Sequence, residues 1–187
     1  MKCKLIGIGG AGRNHLNTII ESGYDATNTV YMDTDTNSLF ASKSKEFVQL
    51  GKSIFKGLGT GGHPHGGLMA AQFTEGEILE AIKGYDVLVL CAGLGGGVGS
   101  GATPYIVSLI ESYTEAKAFV IATMPAGIET KRRKDQAKEA KDFLLDLSGE
   151  NLYVIDTPNI AISKMYEEAD KLVLAQFELL ADKYTFT

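Results

Sequence analysis

Short apolar runs alternate along the chain with longer segments whose apolar residues recur at helical spacing. The runs lie at Cys3 to Ile8, Thr29 to Met32, Phe47 to Leu50, Val87 to Cys91, Ala118 to Ala122 and Leu152 to Ile155. Runs this short, several of them β-branched, predict buried strands. Strands that alternate with helices predict βαβ units, so we expect an α/β fold: a three-layer, Rossmann-like sandwich around a mostly parallel sheet.

Two of the predicted helices differ in their apolar pattern. After Glu129, the side chains of Ala137, Ala140, Leu144 and Leu147 fall on one face, which is typical of a helix that covers a sheet. The last helix, at about 164–184, carries apolar residues around nearly its whole circumference: Leu172, Val173, Leu174, Ala175, Phe177, Leu179 and Leu180. One sheet covers only one side of a helix. We therefore expect its outer side to meet another subunit or partner, or to form an exposed patch.

Composition and charge indicate one globular domain over residues 1–187. The chain is 44% hydrophobic, and its 18 basic and 23 acidic residues give a net charge of -5 without a long block of either sign. This balance does not favour a nucleic-acid or membrane partner. No apolar run approaches the ~20 residues that span a bilayer, and the two cysteines form no disulfide framework. We expect a cytoplasmic protein with reduced core thiols.

A glycine loop follows the first predicted strand. Gly7-Ile-Gly-Gly-Ala-Gly12 has the form G-x-G-x-x-G, and Asp33 lies about twenty residues beyond it. In dinucleotide-binding proteins such glycines bring backbone amides to a pyrophosphate, and the carboxylate binds ribose hydroxyls. The pattern on its own is also that of a tight turn from strand to helix.

A second and richer glycine loop follows the fourth strand. Five of the seven residues from Gly95 to Gly101 are glycine, and a predicted helix begins at about Ala102. Bare amides at a helix N-terminus form a concave nest that suits a polyphosphate. No lysine occurs there, so this is not a Walker loop, and charge would be neutralised by amides, the helix dipole and a metal ion. Gly57-Leu-Gly-Thr-Gly-Gly62 is a third cluster of the same kind.

These features together resemble the nucleotide-binding domain of the FtsZ/tubulin GTPases. GIGGAGRN (Gly7 to Asn14) is similar to the family's first glycine loop, and Asp33-Thr-Asp35 stands where the family has Asn-Thr-Asp. GLGTGGHP (Gly57 to Pro64) is similar to GLGAGANP, and GGGVGSG (Gly95 to Gly101) to GGGTGTG or GGGTGSG. The resemblance runs from about Lys4 into the last helix, with the motifs in the family's order.

The resemblance implies a guanine-nucleotide site that takes GTP or GDP with Mg²⁺. The first and second glycine loops would contact the phosphates, and Gly61 and Gly62 would close over the terminal one. Glu129 and Arg133 match the family's Glu-Gly-Lys-Lys-Arg, where the carboxylate binds the ribose and the guanidinium reaches the nucleotide. A carboxylate accepts from sugar hydroxyls and a guanidinium offers forked donors, so both residue types suit these roles.

Three residues match the base-binding positions of the family. Asn159 would lie beside the base, Tyr166 would stack on guanine, and Asp170 would accept from the guanine N1 and N2 hydrogens, a donor pair that adenine lacks. The candidate nucleotide-binding residues are Gly9, Gly10, Ala11, Gly12, Arg13, Asn14, Asp33, Gly61, Gly62, Gly95, Gly96, Gly97, Val98, Gly99, Ser100, Gly101, Glu129, Arg133, Asn159, Tyr166 and Asp170. No metal ligand is assigned.

Without the resemblance, each matched side chain has an ordinary interpretation. Glu129 and Arg133 are four residues apart and could form only a surface pair on a helix. Tyr166 could be a core aromatic residue, and Asp170 could be a solvated helix residue.

The acidic pair after the second strand and the three histidines also have ordinary interpretations. Asp33 and Asp35 could cap the following helix. His63 and His65 do not make a metal site on their own, and a loop over the phosphates accounts for them. His15 receives no role.

Several residues depart from the family pattern. Val98 replaces a threonine whose hydroxyl would face the phosphates, a loss on the order of 1 kcal/mol in binding. Ala11 and Arg13 stand where the family often has glycine. Asp33 replaces asparagine and brings a negative charge near the nucleotide, and Ile160 stands where aspartate is usual after Pro-Asn.

The catalytic part of the family pattern has no counterpart in this sequence. In the family, the long helix leads to a loop whose acidic residues activate water in trans, and then to a second domain. We assign no catalytic residue, so we expect the chain to bind GTP much better than it hydrolyses it.

Three functions follow, in order of preference. The first is a polymerising, GTP-binding protein of the FtsZ/tubulin cytoskeletal type, the kind of filament protein that acts in cell division. It would self-associate, or bind an FtsZ-like partner, through the nucleotide face and the final helix. The second is a non-catalytic guanine-nucleotide switch or filament cap. The third, an NAD-binding enzyme, would leave Gly95 to Gly101, Tyr166 and Asp170 without a task.

Overall fold

The computed structural model describes residues 1–186. The strands are β1 (Cys3–Ile8), β2 (Thr29–Asp33), β3 (Glu46–Gln49), β4 (Val87–Gly93), β5 (Lys117–Met124) and β6 (Leu152–Asp156). The helices are α1 (Gly9–Glu21), α2 (Thr36–Phe40), α3 (Lys52–Phe55), α4 (Pro64–Gln72), α5 (Glu75–Ile82), α6 (Gly97–Tyr113), α7 (Lys131–Ser148) and α8 (Ile162–Tyr184). Short 3₁₀ helices occupy Ala26–Asn28 and Gly149–Asn151.

The six strands form one sheet in the order β3-β2-β1-β4-β5-β6, and each neighbouring pair is parallel. The predicted α/β sandwich is therefore confirmed. From β1 the chain builds the sheet outward through β2 and β3, and then returns to add β4 on the other side. The carboxyl ends of β1 and β4 flank this reversal, where open α/β sheets hold their ligands.

Alternating side chains of each strand divide the core into two layers. On one face, Ile6 and Leu90 pack with residues of α4 to α7, such as Val107 and Leu144. On the other face, Leu5 and its neighbours pack with residues of α1, α2 and α8. A strand that is buried on both faces reads as a continuous apolar run, which is why β1 and β4 stand out in the sequence.

The apolar stripe of α7 ends earlier than its sequence predicts. Ala137, Ala140 and Leu144 are buried, but Leu147 is 40% exposed. Successive residues turn by about 100° around a helix, so Leu147 and Ser148 lie at opposite edges of the stripe. Ser148 takes the last buried position.

The final helix is covered on one side only, as its pattern predicts. Val173, Phe177 and Leu180 are buried in the core, whereas Leu172 and Leu179 are 46% and 66% exposed. Within residues 1–186, no helix combines the length and the apolar character needed to cross a membrane.

Candidate functional site

A cleft of about 350 Å³ opens beside the carboxyl ends of β1 and β4. Its wall includes the start of α1, the loop from Gly93 to Gly99, the segment after β2 and one side of α8. This volume lies at the lower end of the range that small-molecule sites occupy. The sheet therefore places the sequence motifs around one concavity.

Two helix N-termini at this cleft carry no side-chain cap. The residue before α1 is Ile8 and the residue before α6 is Gly96, and neither offers a side-chain acceptor to the first turn. The first N–H groups of a helix have no partner within the helix, and they form the positive end of its dipole. Both helices thus bring unpaired donors to the wall of the cleft.

The glycines of the second loop fall into two kinds. A Cβ on Gly97 would lie 1.9 Å from Thr60 Oγ1, and one on Gly99 would lie 2.1 Å from the Gly93 carbonyl oxygen. Contacts this short are excluded, so Gly97 makes room for the Thr60 side chain and Gly99 lets backbone approach backbone. A Cβ on Gly96, or on Gly10 in α1, would meet nothing within 4 Å. Only glycines of this second kind leave open space for a ligand.

The two residues that interrupt the glycine run have separate tasks. Ser100 is buried, and its hydroxyl accepts a 2.7 Å hydrogen bond from the Gly95 amide. The serine therefore fixes the turn, while Gly95 itself has a positive φ of 101°. Val98 lies on the cleft wall with 8% of its surface exposed and packs in the core with residues of α4 and α6.

The third glycine cluster packs over the start of α6. Thr60 lines the cleft and fills the space beside Gly97. Gln136 of α7 donates to the carbonyl oxygens of Gly62 (3.1 Å) and Gly95 (3.0 Å). One side chain thus ties the second and third glycine loops together, although nothing in the sequence pattern marks it.

Asp33 is held by a chain of hydrogen bonds. Its carboxylate accepts from the Tyr31 hydroxyl (2.6 Å) and the Thr34 amide (2.7 Å). Burial, and then the Asp33 carboxylate, raise the pKa of Tyr31, which therefore stays protonated and donates. Ser38 contacts the same hydroxyl at 2.7 Å, and Arg13 donates to Ser38 at 3.2 Å. Arg13 and Asp33, two separate departures from the family pattern, belong to one network.

The neighbouring residues of the first two motifs are also engaged. The Asp35 carboxylate accepts from the Asn37 amide at 2.9 Å and caps α2, which is the ordinary interpretation of that residue. Asn14 lines the cleft, and its side-chain oxygen accepts from the Arg13 guanidinium at 3.2 and 3.3 Å.

Glu129 joins the β5–α7 loop to α8. Its carboxylate accepts from the Tyr166 hydroxyl at 2.7 Å and lies 3.5 Å from Arg133 Nε. The hydrogen bond to Glu129 is the main reason why the pKa of Tyr166 is raised. The surface pair of Glu129 and Arg133 does form, and all three side chains line the cleft. The ordinary interpretation and the proposed binding role are therefore compatible here.

Asp170 contacts a histidine to which the sequence assigns no role. Its Oδ1 lies 2.5 Å from Nδ1 of His15, whose Nε2 lies 3.1 Å from the hydroxyl of Thr123. His15 and Thr123 are buried, and the Asp170 side chain is 16% exposed on the cleft wall. The contact joins residues 155 positions apart, so only the tertiary structure reveals it.

The sequence matches the profile of the Tubulin/FtsZ family, GTPase domain, over residues 2–166. The chain belongs to the Tubulin/FtsZ family. The sheet order alone is shared with dinucleotide-binding domains. The profile match and the second glycine loop distinguish this Tubulin/FtsZ domain from dinucleotide-binding domains.

Solved structures of the Tubulin/FtsZ family share this fold. An empty FtsZ dimer from M. jannaschii superposes with a TM-score of 0.88 at 29% identity, covering 97% of this chain and 54% of that one. CetZ2 from Haloferax volcanii, in a GTPγS-bound protofilament, has a TM-score of 0.84 at 22% identity, covering 96% and 58%. TubZ of Clostridium botulinum phage c-st has a TM-score of 0.76 at 18% identity, covering 96% and 58%. The chain thus spans between half and two thirds of their lengths.

In this Tubulin/FtsZ domain, the cleft wall gathers most of the candidate residues but not all of them. Those on the wall are Gly9, Gly10, Ala11, Asn14, Asp33, Gly96, Gly97, Val98, Gly99, Glu129, Arg133, Tyr166 and Asp170. Those that do not line it are Gly12, Arg13, Gly61, Gly62, Gly95, Ser100, Gly101 and Asn159. Among wall residues that the motifs do not mark are His15, Ser38, Gly93, Thr123 and Thr157.

Several candidate residues off the wall have structural contacts that explain their type. A Cβ on Gly12 would lie 2.5 Å from the Cys91 carbonyl oxygen, and one on Gly101 would lie 1.8 Å from that of Pro64. Such glycines hold α1 and α6 against neighbouring backbone in this Tubulin/FtsZ domain. Among residues 1–186, no group of three or more His, Cys, Asp or Glu side chains is arranged to hold a metal ion.

Proposed function

We propose that residues 1–187 form the single nucleotide-binding domain of a GTP-binding protein of the FtsZ/tubulin cytoskeletal type. The observation that carries the proposal is the convergence of two uncapped helix N-termini, α1 and α6, with Tyr166 and Asp170 on one cleft. Backbone donors suit phosphate, and an aromatic ring beside a carboxylate suits guanine. Membership of the Tubulin/FtsZ family supports this assignment.

The charge of the cleft supports a role for Mg²⁺ with the nucleotide. In the described structure, Arg133 and His15 are the only basic side chains on the wall, and lysine is absent from it. Amides and helix dipoles supply partial charges only, so a triphosphate here needs a further cation. Asp35 on the cleft wall would offer a carboxylate oxygen, and the phosphate oxygens and water would complete the magnesium coordination. When bound, Mg²⁺ would neutralise the phosphate charge.

Titration calorimetry with GTP, GDP, ATP and NAD in magnesium buffer tests the proposal. We expect GTP and GDP to bind, ATP to bind at least tenfold more weakly, and NAD not to bind, since a single guanine-reading carboxylate changes binding by about 1.5–3 kcal/mol. Asp170→Ala should weaken GTP binding and relax the discrimination against ATP. Tight NAD binding without GTP binding would refute the assignment.

We also propose that the chain by itself hydrolyses GTP slowly. Four carboxylates line the cleft, those of Asp33, Asp35, Glu129 and Asp170, and each accepts a hydrogen bond from another protein group. Asp33 and Glu129 use both oxygens in protein contacts, Asp35 would serve the magnesium ion and Asp170 would serve the base, so none of the four is assigned to activate water. The measurement is phosphate release by this chain alone and with an excess of a longer FtsZ relative; rapid turnover by the chain alone would contradict the proposal.

The nucleotide face and the outer side of α8 are the proposed contact surfaces for a second copy or an FtsZ/tubulin-like partner. Leu172 and Leu179 give α8 an exposed apolar side, as expected of a helix that is covered from both sides in an assembly. Sedimentation of the wild type and of Leu172→Glu, each with GTP and with GDP, tests these surfaces. If the amount of assembled protein is the same with either nucleotide and in the variant, the result argues against them.

A further inference from the structure

A buried histidine supports the base-reading end of the cleft. His15 is 3% exposed, and both of its ring nitrogens have partners: Asp170 Oδ1 at 2.5 Å and Thr123 Oγ1 at 3.1 Å. The three residues come from α8, α1 and β5, so the contact spans one helical layer and the sheet. Neither the glycine motifs nor the base-binding pattern includes His15 or Thr123.

The chemistry of the partners fixes how the hydrogen bonds run. An ionised carboxylate only accepts, so Nδ1 of His15 carries the hydrogen and donates to Asp170. In a neutral imidazole, Nε2 then has a free lone pair and accepts from the Thr123 hydroxyl. Asp170 therefore sets the tautomer, and Thr123 helps to hold the ring orientation from the far nitrogen.

This contact restricts the orientation of the Asp170 carboxylate and leaves part of its hydrogen-bonding capacity free. Within the described residues, His15 is the only hydrogen-bond partner of the Asp170 carboxylate. Its Oδ2, and one lone pair of Oδ1, are left over on a side chain that is 16% exposed to the cleft. Guanine presents two adjacent donors, N1–H and N2–H. To accept both, a carboxylate must keep its two oxygens in the plane of the base.

We propose that His15 is a positioning residue that holds the Asp170 carboxylate in the orientation that reads both donors of guanine. The inference rests on the proposed function, because it assumes a guanine nucleotide in this cleft. A carboxylate held before binding loses less rotational freedom when the base arrives. The second hydrogen bond depends most on this orientation, so His15 acts mainly on the recognition of the 2-amino group.

Inosine triphosphate provides the matching probe. Hypoxanthine retains N1–H and lacks the 2-amino group, so it makes only one of the two hydrogen bonds. The ratio of the ITP and GTP dissociation constants therefore isolates the orientation of Asp170. A merely structural role of His15 lowers stability but leaves this ratio unchanged.

The test uses the full chain and three variants. His15→Leu removes both hydrogen bonds and should lower the preference for GTP over ITP by about tenfold, the scale of one hydrogen bond to a charged group. His15→Asn keeps an N–H donor near the position of Nδ1 and should recover most of the preference. Thr123→Val is nearly isosteric and frees only the ring, so it should give a smaller loss, about threefold.

Val173→Ala is the control for stability. Val173 is fully buried on α8 and does not line the cleft, so the change weakens the packing of the same helix without touching the site. Its free energy of unfolding should fall while the preference for GTP over ITP stays at the wild-type value.

The outcomes separate this inference from the proposed function. If the wild-type chain binds no guanine nucleotide, both are refuted. If it binds GTP and the preference is unchanged in His15→Leu and Thr123→Val, only the role of His15 is refuted. Should His15→Leu fail to fold, an unchanged preference in Thr123→Val refutes it equally.

Discussion

The two kinds of glycine predict opposite outcomes for the same substitution. A methyl on Gly101 would lie 1.8 Å from the Pro64 carbonyl oxygen and 2.7 Å from the Leu68 amide nitrogen, so α4 and α6 must separate by more than 1 Å. Overpacking of this kind costs about 1–3 kcal/mol. At this chain length each kcal/mol lowers the Tm by about 2–4 °C, so Gly101→Ala should lower it by up to about 10 °C.

Gly10→Ala is the matched variant on the cleft wall. Gly10 lies in α1 without close neighbours, and alanine in a helix is favoured over glycine by about 0.5–1 kcal/mol. The free energy of unfolding should therefore stay equal or rise. The methyl nevertheless projects where the proposed phosphates approach the amides of α1, so GTP affinity should fall by about tenfold, or ~1.4 kcal/mol.

The assays are urea unfolding for stability and titration calorimetry with GTP for binding, both on each variant. Two results would contradict the reasoning. Wild-type stability in Gly101→Ala would mean that α4 and α6 are not in direct backbone contact. Unchanged GTP affinity in a folded Gly10→Ala would mean that no ligand needs the space beside Gly10.

Three further predictions rest on single contacts. Tyr166→Leu should weaken GTP binding by the ~1–3 kcal/mol of one base-aromatic stack, whereas Tyr166→Phe keeps the ring and should lose much less, as calorimetry would reveal. Val98→Thr restores the family hydroxyl and should tighten GTP binding by on the order of 1 kcal/mol, measured in the same way. Burial raises the pKa of Cys3 to about 12 and raises that of Cys91 as well, so neither thiol forms appreciable thiolate at pH 8. Ellman's reagent should accordingly react with both cysteines only after unfolding, and fast reaction of the native protein would contradict the buried placement.

The sheet could be predicted from the sequence because its signal is local. β1 and β4 are buried on both faces, and this leaves continuous apolar runs that need no knowledge of the partner strands. The exposure of Leu147 was less predictable, because a residue at the edge of a helical stripe is covered or bare depending on its neighbours in space.

The glycine loops illustrate what local pattern cannot separate. Sequence reasoning gives every glycine from Gly95 to Gly101 the same task at the phosphates. The structure divides them, because the neighbours of Gly99 and Gly101 are Gly93 and Pro64, which reach them only through the packing of α6. A glycine in the sequence indicates that a side chain is excluded at that position. Only the tertiary structure shows whether neighbouring protein backbone excludes it or whether open space for a ligand lies there.

The departures from the family pattern make the same point for polar residues. Arg13 and Asp33 both depart from the family pattern, and they are twenty residues apart. From the sequence alone they are two unrelated changes. Through Ser38 and Tyr31 they form one hydrogen-bonded chain. The negative charge that Asp33 brings near the site is thus already met by donors within the protein, which lessens its repulsion of phosphate.

The proposed base-binding residue and the proposed ribose-binding residue differ in how the protein holds them before a ligand arrives. Asp170 is held by a buried histidine and keeps an oxygen without a protein partner, so it can accept from a base without breaking a contact. Glu129 is held by Tyr166, which is 49% exposed, and by Arg133 on a flexible side chain. The Tyr166 hydroxyl competes with the proposed ribose for Glu129, and its release would free the ring to stack. Tyr166→Phe, which lacks the hydroxyl, should therefore bind GTP with a faster association rate than the wild type.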